Sequence, residues 1–363
     1  MSDLRHDPID DVWVTMAGNR RSRPMEFVTL AQRCQAMICP FCGGNEAEAT
    51  PPIVVFGEDG QVFQLNPAIK EQSTEIWSSR VIANKYPSFS IDGQGESSPV
   101  IPPSNDHKWA TPVQINQSPG LQELIIPTPR HCDSISGLND NELEVAFLAI
   151  QHRLKAIRTE NEIAHAMLFL NCRAEAGASL GHVHWQLIGT PVVSSQLQRR
   201  AAREQDHQSE YGRSLIGSLV DWELKQQTRI VCETENFVVY CPFASRFPFQ
   251  IHITPRDPSL SLFDCSADMR NELAWHCRDA VSRLERLLED AAYNILLQLP
   301  PMDRVDQDPW YLQIFPRISK PAGFELGTDI WINPVTPEAA SQALRSSTVW
   351  ACLLYTSDAP TKA

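Results

Sequence analysis

Two histidines two residues apart, His182 and His184, follow a run of small residues, Ala176-Gly177-Ala178-Ser179-Leu180-Gly181. On a β-strand, residues i and i+2 face the same side, so this spacing predicts two imidazoles presented to one surface. A glycine-bearing loop lets backbone N–H groups come close to a phosphate. Imidazole suits the chemistry this allows: with an ordinary pKa of about 6.5 it is mostly neutral at pH 7 and nucleophilic without a separate base. An isolated strand histidine is ordinarily a core or surface residue. Here Asn171 stands ahead and Gln186 behind, and the set as a whole points to phosphate chemistry.

A second group with chemical content is Cys39-Pro40-Phe41-Cys42, followed by two glycines. The spacing aims two thiolates at one metal, although a redox dithiol has the same spacing. No thioredoxin-type βαβ pattern surrounds it, so zinc is the favoured reading, with redox or plain structural use as the alternatives. Zinc takes about four ligands, and His131 and His182 offer imidazoles at the ends of predicted strands. A third group is the basic turn Arg20-Arg21-Ser22-Arg23-Pro24. It reads either as a solvated loop or as an anion-binding one, since guanidinium forks match phosphate oxygens.

The chain that must position these groups has 363 residues, of which 42% are hydrophobic, including 14 Phe and 9 Trp. That content excludes overall disorder, and the length leaves room for two packed units. Its 44 acids against 31 Lys and Arg give a formal charge of −13, which argues against nucleic acid as the main partner. No apolar run approaches the roughly 18 residues of a membrane span. The polar start, Met1 to Asp7, lacks a secretory core, so a cytoplasmic protein with reduced thiols among its ten cysteines is expected. Residues 88–119, rich in Ser, Gly, Pro, Asn and Gln, read as a surface excursion.

Residues 120–191 and 247–317 form a weak internal repeat. Each copy opens on a β-type run, Leu121–Ile126 or Phe249–Ile253, that ends in Thr-Pro-Arg. A helix-like stretch follows, with an apolar stripe at Leu143, Phe147, Ile150, Leu154 and Ile157 or at Leu273, Cys277, Ala280, Leu284 and Leu287. Two more strands close each copy, Ala166–Asn171 and His182–Ile188 in the first, Tyr293–Gln298 and Pro309–Phe315 in the second. Aligned on Gln186 and Gln313, the second copy carries Tyr311 and Pro309 in place of His184 and His182, so the chemistry belongs to the first. The expected fold is α+β: two units of antiparallel strands, each covered by one long helix, packing through their strands or sheet edges.

These motifs, taken in order, resemble those of the galactose-1-phosphate uridylyltransferase family, the nucleotidyl-transferring branch of the histidine triad superfamily. The resemblance runs through the Trp13 strand and Arg20–Pro24, Cys39–Asn45, Arg80–Pro87, Pro129–His131, Asn171–Gln186, Gly323–Thr328 and Asn333-Pro334, roughly residues 8–346. It implies two histidine-triad-like units, residues 1–195 with the metal and nucleophile and residues 196–346 without catalytic histidines. The tail 347–363 fits neither and is excluded from the fold.

The resemblance further implies that His184 attacks the α-phosphorus of a nucleoside diphosphate hexose, aided by Gln186. Hexose 1-phosphate leaves, and a second hexose 1-phosphate takes the nucleotidyl group. Arg20, Arg23 and Asn171 would hold phosphates, Asn84 the nucleoside side, and Gly177, Ala178 and Ser179 the phosphate cradle. Phe324 and Glu325 resemble hexose-contacting residues that arrive from a neighbouring subunit, which implies a homodimer. Cys39, Cys42, His131 and His182 resemble the ligands of one structural zinc. A second metal is not expected, because Asp257-Pro258 and Pro309 stand where relatives carry histidine and residues 203–232 contain no Cys-x-x-Cys. The leading activity is UDP-glucose:hexose-1-phosphate uridylyl transfer. Its rival, ADP-glucose phosphorylase, keeps the same histidine and uses phosphate as acceptor. Trp185, beside the nucleophile, is expected to narrow the pocket.

Overall fold

The computed structural model describes residues 3–16, 38–63, 77–89, 120–160, 162–289 and 291–347. Arg20 and Arg23, most of the 88–119 segment and the tail from residue 348 lie outside the described residues. The first part of the chain contains β1 (Asp3–Asp7), β2 (Val12–Met16), β3 (Pro52–Phe56), β4 (Val62–Phe63), β5 (Ser79–Ala83) and β6 (Leu121–Ile126). Next come α1 (Asp140–Ile157), β7 (His165–Cys172), β8 (Trp185–Thr190), α2 (Ser195–Tyr211) and α3 (Leu215–Gln226). The second part continues with β9 (Ile230–Glu233), β10 (Phe237–Tyr240), β11 (Ile251–Pro255), α4 (Ala267–Leu288), β12 (Tyr293–Gln298) and β13 (Tyr311–Pro316). It ends in α5 (Gly323–Thr328), β14 (Trp331–Asn333) and α6 (Pro337–Ser346).

The fold is α+β, as expected. Eleven strands form one antiparallel sheet in the order β4-β3-β5-β6-β8-β7-β12-β13-β11-β10-β9. The halves meet where β7 pairs with β12, with Asn171 opposite Asn294. Each half runs strand, helix, strand, strand, and in each the last strand inserts between the other two: β6-β8-β7 on one side, β11-β13-β12 on the other.

The two long helices form because their apolar residues fall on one stripe and their first turns are capped. Asn139 and Glu142 make a reciprocal capping box at α1, and Ser266 accepts from the Met269 N–H at α4. Leu143, Phe147, Ile150, Leu154 and Ile157 are all buried, as are Leu273, Cys277, Ala280 and Leu284. Both stripes belong to one continuous core beneath the sheet, shared by the halves. Burying a Leu or Phe side chain stabilises by about 1.5–3 kcal/mol, so these stripes outweigh the modest helix propensities of the segments.

The opposite face of the sheet is covered differently in the two halves. In the second half, α3 packs Val220 on Ile230, Val238 and Tyr240, and the β1–β2 turn packs Ile9 on Tyr311 and Ile216. Residues 3–16, grouped above with the N-terminal unit, therefore pack on the C-terminal half. There β2 pairs in parallel with β14, and Arg5 is bonded to Glu338 at 3.0 Å. In the first half the covering segment is Cys39–Gly44, whose Phe41 joins Val55, Trp77, Ile82, Leu124 and Ile126 in a small apolar cluster.

The segment around His182–Gln186 departs from expectation in two ways. The β-ladder begins at Trp185, so His182, Val183 and His184 form an extended lead-in whose Val183 N–H donates to the Cys132 carbonyl. Trp185 does not narrow the pocket: it is 0% exposed and packs edge-on against Phe147 of α1, at 5.8 Å, on the helix side. Strand alternation sends it away from its neighbours His184 and Gln186. Among the described residues, no helix is long and apolar enough to cross a membrane.

Candidate nucleophile and metal site

His184 is 4% exposed, and its Nδ1 lies 2.8 Å from the His182 carbonyl oxygen. A carbonyl only accepts, so Nδ1 carries the proton and the lone pair sits on Nε2. Burial pushes the His184 pKa down, partly opposed by that hydrogen bond, and the ring is neutral at pH 7. This gives a buried, oriented imidazole with its nucleophilic nitrogen on the side away from the backbone.

Asn171 and Gln186 share its face of the sheet. The β7·β8 ladder runs through Phe169↔Gln186 and ends at Leu170↔Trp185, so Asn171 and His184 are the next step in register. The turn between β7 and β8 passes through Gly177 at φ +92, a conformation that L side chains rarely adopt. The Asn171 Nδ2 faces the Gly177 carbonyl at 3.5 Å. The Gly177 and Ala178 N–H groups donate inside the turn, to the carbonyls of Ala174 and Arg173. They shape the cradle rather than offering it donors, while Ser179 is exposed at its rim.

Beside His184, Cys39, Cys42, His131 and His182 bring one ligand atom each to within 4.8 Å of one another. The His182 Nε2 lies 3.1 Å from the Thr128 carbonyl and so carries the proton, leaving Nδ1 to face the Cys39 and Cys42 sulfurs at 3.7 and 3.6 Å. The His131 Nδ1 lies 3.3 Å from the Cys42 sulfur. Burial and the nearby Cys39 raise the Cys42 thiol to about 11, and burial and His131 lower His182 to about 4. Two thiols and two imidazoles converging in this way fit a tetrahedral, closed zinc set, with the Thr128 carbonyl fixing one ligand's tautomer.

The two groups are joined by Phe41, the residue between the cysteines that no motif singled out. Its ring lies edge-on to His182 at 6.0 Å and to His184 at 5.1 Å. Arg80 was likewise legible only as part of a motif. It is 2% exposed, stacks on Trp77 at 4.8 Å and donates to the Pro40 carbonyl at 2.8 Å inside the cysteine turn. Its Nε has no hydrogen-bond partner among the described residues.

The remaining expected residues lie further out. Asn84 follows β5; its backbone N–H donates to Gln122 and its side chain accepts from the Tyr86 N–H at 2.9 Å. Phe324 and Glu325 sit on α5, against β14 of the small sheet, and Phe324 is 49% exposed. In the second half the corresponding face is covered by the β1–β2 turn and α2. Arg200 and Arg246 both bind Asp10 of the β1–β2 turn, Gln298 donates to Gln313 at 3.0 Å, and His252 tilts on Tyr311.

Comparison with known proteins accords with this geometry. A family described as "Domain of unknown function (DUF4921)" matches residues 137–349. ADP-glucose phosphorylase of Arabidopsis thaliana is 27% identical over 350 residues, covering 94% of this chain and 92% of the relative. Galactose-1-phosphate uridylyltransferase of Thermotoga maritima is 24% identical over 360 residues, covering 96% and 99%. The crystal structure of an Arabidopsis thaliana ADP-glucose phosphorylase with bound ADP-glucose matches with a TM-score of 0.76 at 26% identity, over 96% of this chain and 99% of that one. A uridylyltransferase structure matches in fold with a TM-score of 0.70 at 20% identity, over 97% and 100%.

Proposed function

Because the chain belongs to the DUF4921 family and, with it, to the galactose-1-phosphate uridylyltransferase-like nucleotidyltransferases, we propose that it transfers a nucleotidyl group through His184. The observation that carries this reading is the fixed tautomer of a buried, neutral imidazole. In the proposed first step Nε2 attacks the α-phosphorus of a nucleoside diphosphate hexose. The bond from that phosphorus to the bridging oxygen breaks, and hexose 1-phosphate leaves. In the second step a phosphate oxygen of the acceptor attacks the phosphorus, and the P–N bond breaks. Both leaving groups are stable, so positioning and donors around the phosphoryl oxygens carry the catalysis. Gln186 and the Asn171 Nδ2 are the donors on the nucleophile's face.

For the donor substrate we favour ADP-glucose with inorganic phosphate as acceptor. The support is the Arabidopsis ADP-glucose phosphorylase, more similar at 27% than the Thermotoga uridylyltransferase at 24%. The second reading is UDP-glucose with a hexose 1-phosphate acceptor, the activity expected from the motifs. Cys39, Cys42, His131 and His182 would hold one zinc, structural because four protein ligands leave no open position. The exposed Phe324 and Glu325 would serve the site of a second copy in a homodimer, and the enzyme would work in the cytoplasm.

The test is direct. Incubation with either sugar nucleotide labelled at the α-phosphate should leave acid-labile label on wild type and none on His184→Ala. Labelling by UDP-glucose alone reverses the order of the two readings. Full turnover by His184→Ala removes the mechanism.

A further inference from the structure

We propose that Asn294, a residue of the second half, decides which end of the Asn171 amide faces the phosphoryl group beside His184; this rests on the nucleotidyl-transfer reading of the site. Asn294 is 8% exposed, and its Nδ2 donates to the Ala176 carbonyl at 2.9 Å and to the Asn171 Oδ1 at 2.7 Å. The first bond fixes the second. A backbone carbonyl only accepts, so the nitrogen end of the Asn294 amide must face Ala176, and that same nitrogen meets Asn171. Both of its hydrogens are then committed. Asn171 can answer only with its oxygen, and its own Nδ2 is turned toward the Gly177 turn and the open face.

The consequence is electrostatic. An amide nitrogen aimed at a phosphoryl oxygen is a donor in place before charge develops, whereas the amide oxygen in that position repels it. Asn294 also binds the Ala176 carbonyl, so one side chain holds both the candidate donor and the turn that forms the cradle. The link crosses the β7·β12 seam, where Asn171 and Asn294 are direct register partners. This gives the second half, which lacks the histidine pair, a positioning role in the first half's site.

The experiment measures nucleotidyl-protein formation with ADP-glucose and UDP-glucose labelled at the α-phosphate, using full-length wild type, Asn171→Ala, Asn294→Asp and the double variant. The new carboxylate accepts only, so Asn171 turns its nitrogen toward it and leaves its oxygen facing the phosphate. Asn294→Asp should lower the saturating rate about 10²-fold or more, the scale of losing one transition-state donor, with little change in half-saturating concentration. In the Asn171→Ala background the further loss should be much smaller, since only the bond to the Ala176 carbonyl remains to be lost. A wild-type rate for Asn294→Asp, or an equal loss in both backgrounds, overturns the proposal while leaving the reading of His184 intact. No label on wild type from either nucleotide overturns that reading and this proposal with it. Should the buried carboxylate prevent folding, Asn294→Ser keeps one donor for two acceptors and should cost several-fold; a wild-type rate there also overturns the proposal.

Discussion

The carbonyl of His182 accepts from the His184 Nδ1 at 2.8 Å, while the His182 ring turns its own Nδ1 toward Cys39 and Cys42. One residue therefore contributes its backbone to the candidate nucleophile and its ring to the candidate metal cluster. A metal held by the His182 ring would fix the peptide that sets the tautomer of His184, and this coupling would make a structural metal matter to the proposed chemistry without taking part in it.

The first prediction concerns pH. Burial lowers the His184 pKa, so Nε2 stays unprotonated to below the ordinary value of about 6.5. The rate of nucleotidyl-protein formation should be flat above pH 7 and fall in acid with a midpoint under about 6.5, read from single-turnover rates. Stability moves in the same direction. His165 and His252 are held neutral by burial, at about 4 and about 3, so the unfolded chain binds protons more readily than the native one. Their contribution is present above about pH 6.5 and is lost as pH falls toward 4. Thermal midpoints measured from pH 7.5 to 5 should decline, and a midpoint that rises on acidification contradicts this assignment.

The second concerns the metal. Elemental analysis should give one zinc per chain, and Cys42→Ser should lose it, with a fall in thermal midpoint. Arg80 lies near both cysteine sulfurs and anchors the Pro40 carbonyl between them, and its Nε has no partner among the described residues. Arg80→Met keeps much of the volume and removes the charge. It should weaken zinc retention against a chelator by about 10-fold or more, the usual scale for groups supporting metal ligands. Two zincs per chain would show that the second half also holds one.

The third isolates the amide donor. Gln186 shares the face of His184, two residues further along the chain. Gln186→Ala should cost roughly 10²-fold or more in the nucleotidylation rate, the scale of losing one preorganised donor to a developing charge. Zinc content and thermal midpoint should stay near wild type.

Much of this arrangement is legible in the sequence, because helices and strands write themselves as local periods. The stripes from Leu143 to Ile157 and from Leu273 to Leu284 are buried as read, Leu287 is only partly buried, and β12 spans the residues expected. The four metal-cluster residues are legible because their types are restrictive. What escapes is long range. Nothing local announces that residues 3–16 pack on the second half, since the Asp10 partners Arg200 and Arg246 lie about 200 residues away. Asn294 left a signal of a weaker kind, a polar residue within the otherwise apolar run Tyr293–Leu297. Phe41 left none, because an aromatic residue between two cysteines reads as ordinary filler.

The last prediction separates the contribution of Phe41 from that of the metal. Its ring touches both histidines and also joins the apolar cluster of Val55, Ile82, Leu124 and Ile126. Phe41→Ala should therefore cost about 3–5 kcal/mol of stability, the usual range for truncating a buried aromatic. Phe41→Leu, closer in volume, should cost less than half of that. If the ring only fills space, the leucine variant restores the nucleotidylation rate along with stability. If it also holds the two imidazoles by edge contacts, as their geometry implies, the leucine variant regains most of its stability and zinc while the single-turnover rate stays several-fold low. Trp185→Phe is the control: its ring faces Phe147 on the helix side, so it should lower the unfolding midpoint and leave the preference between ADP-glucose and UDP-glucose unchanged. A shift in that preference would return Trp185 to the pocket wall.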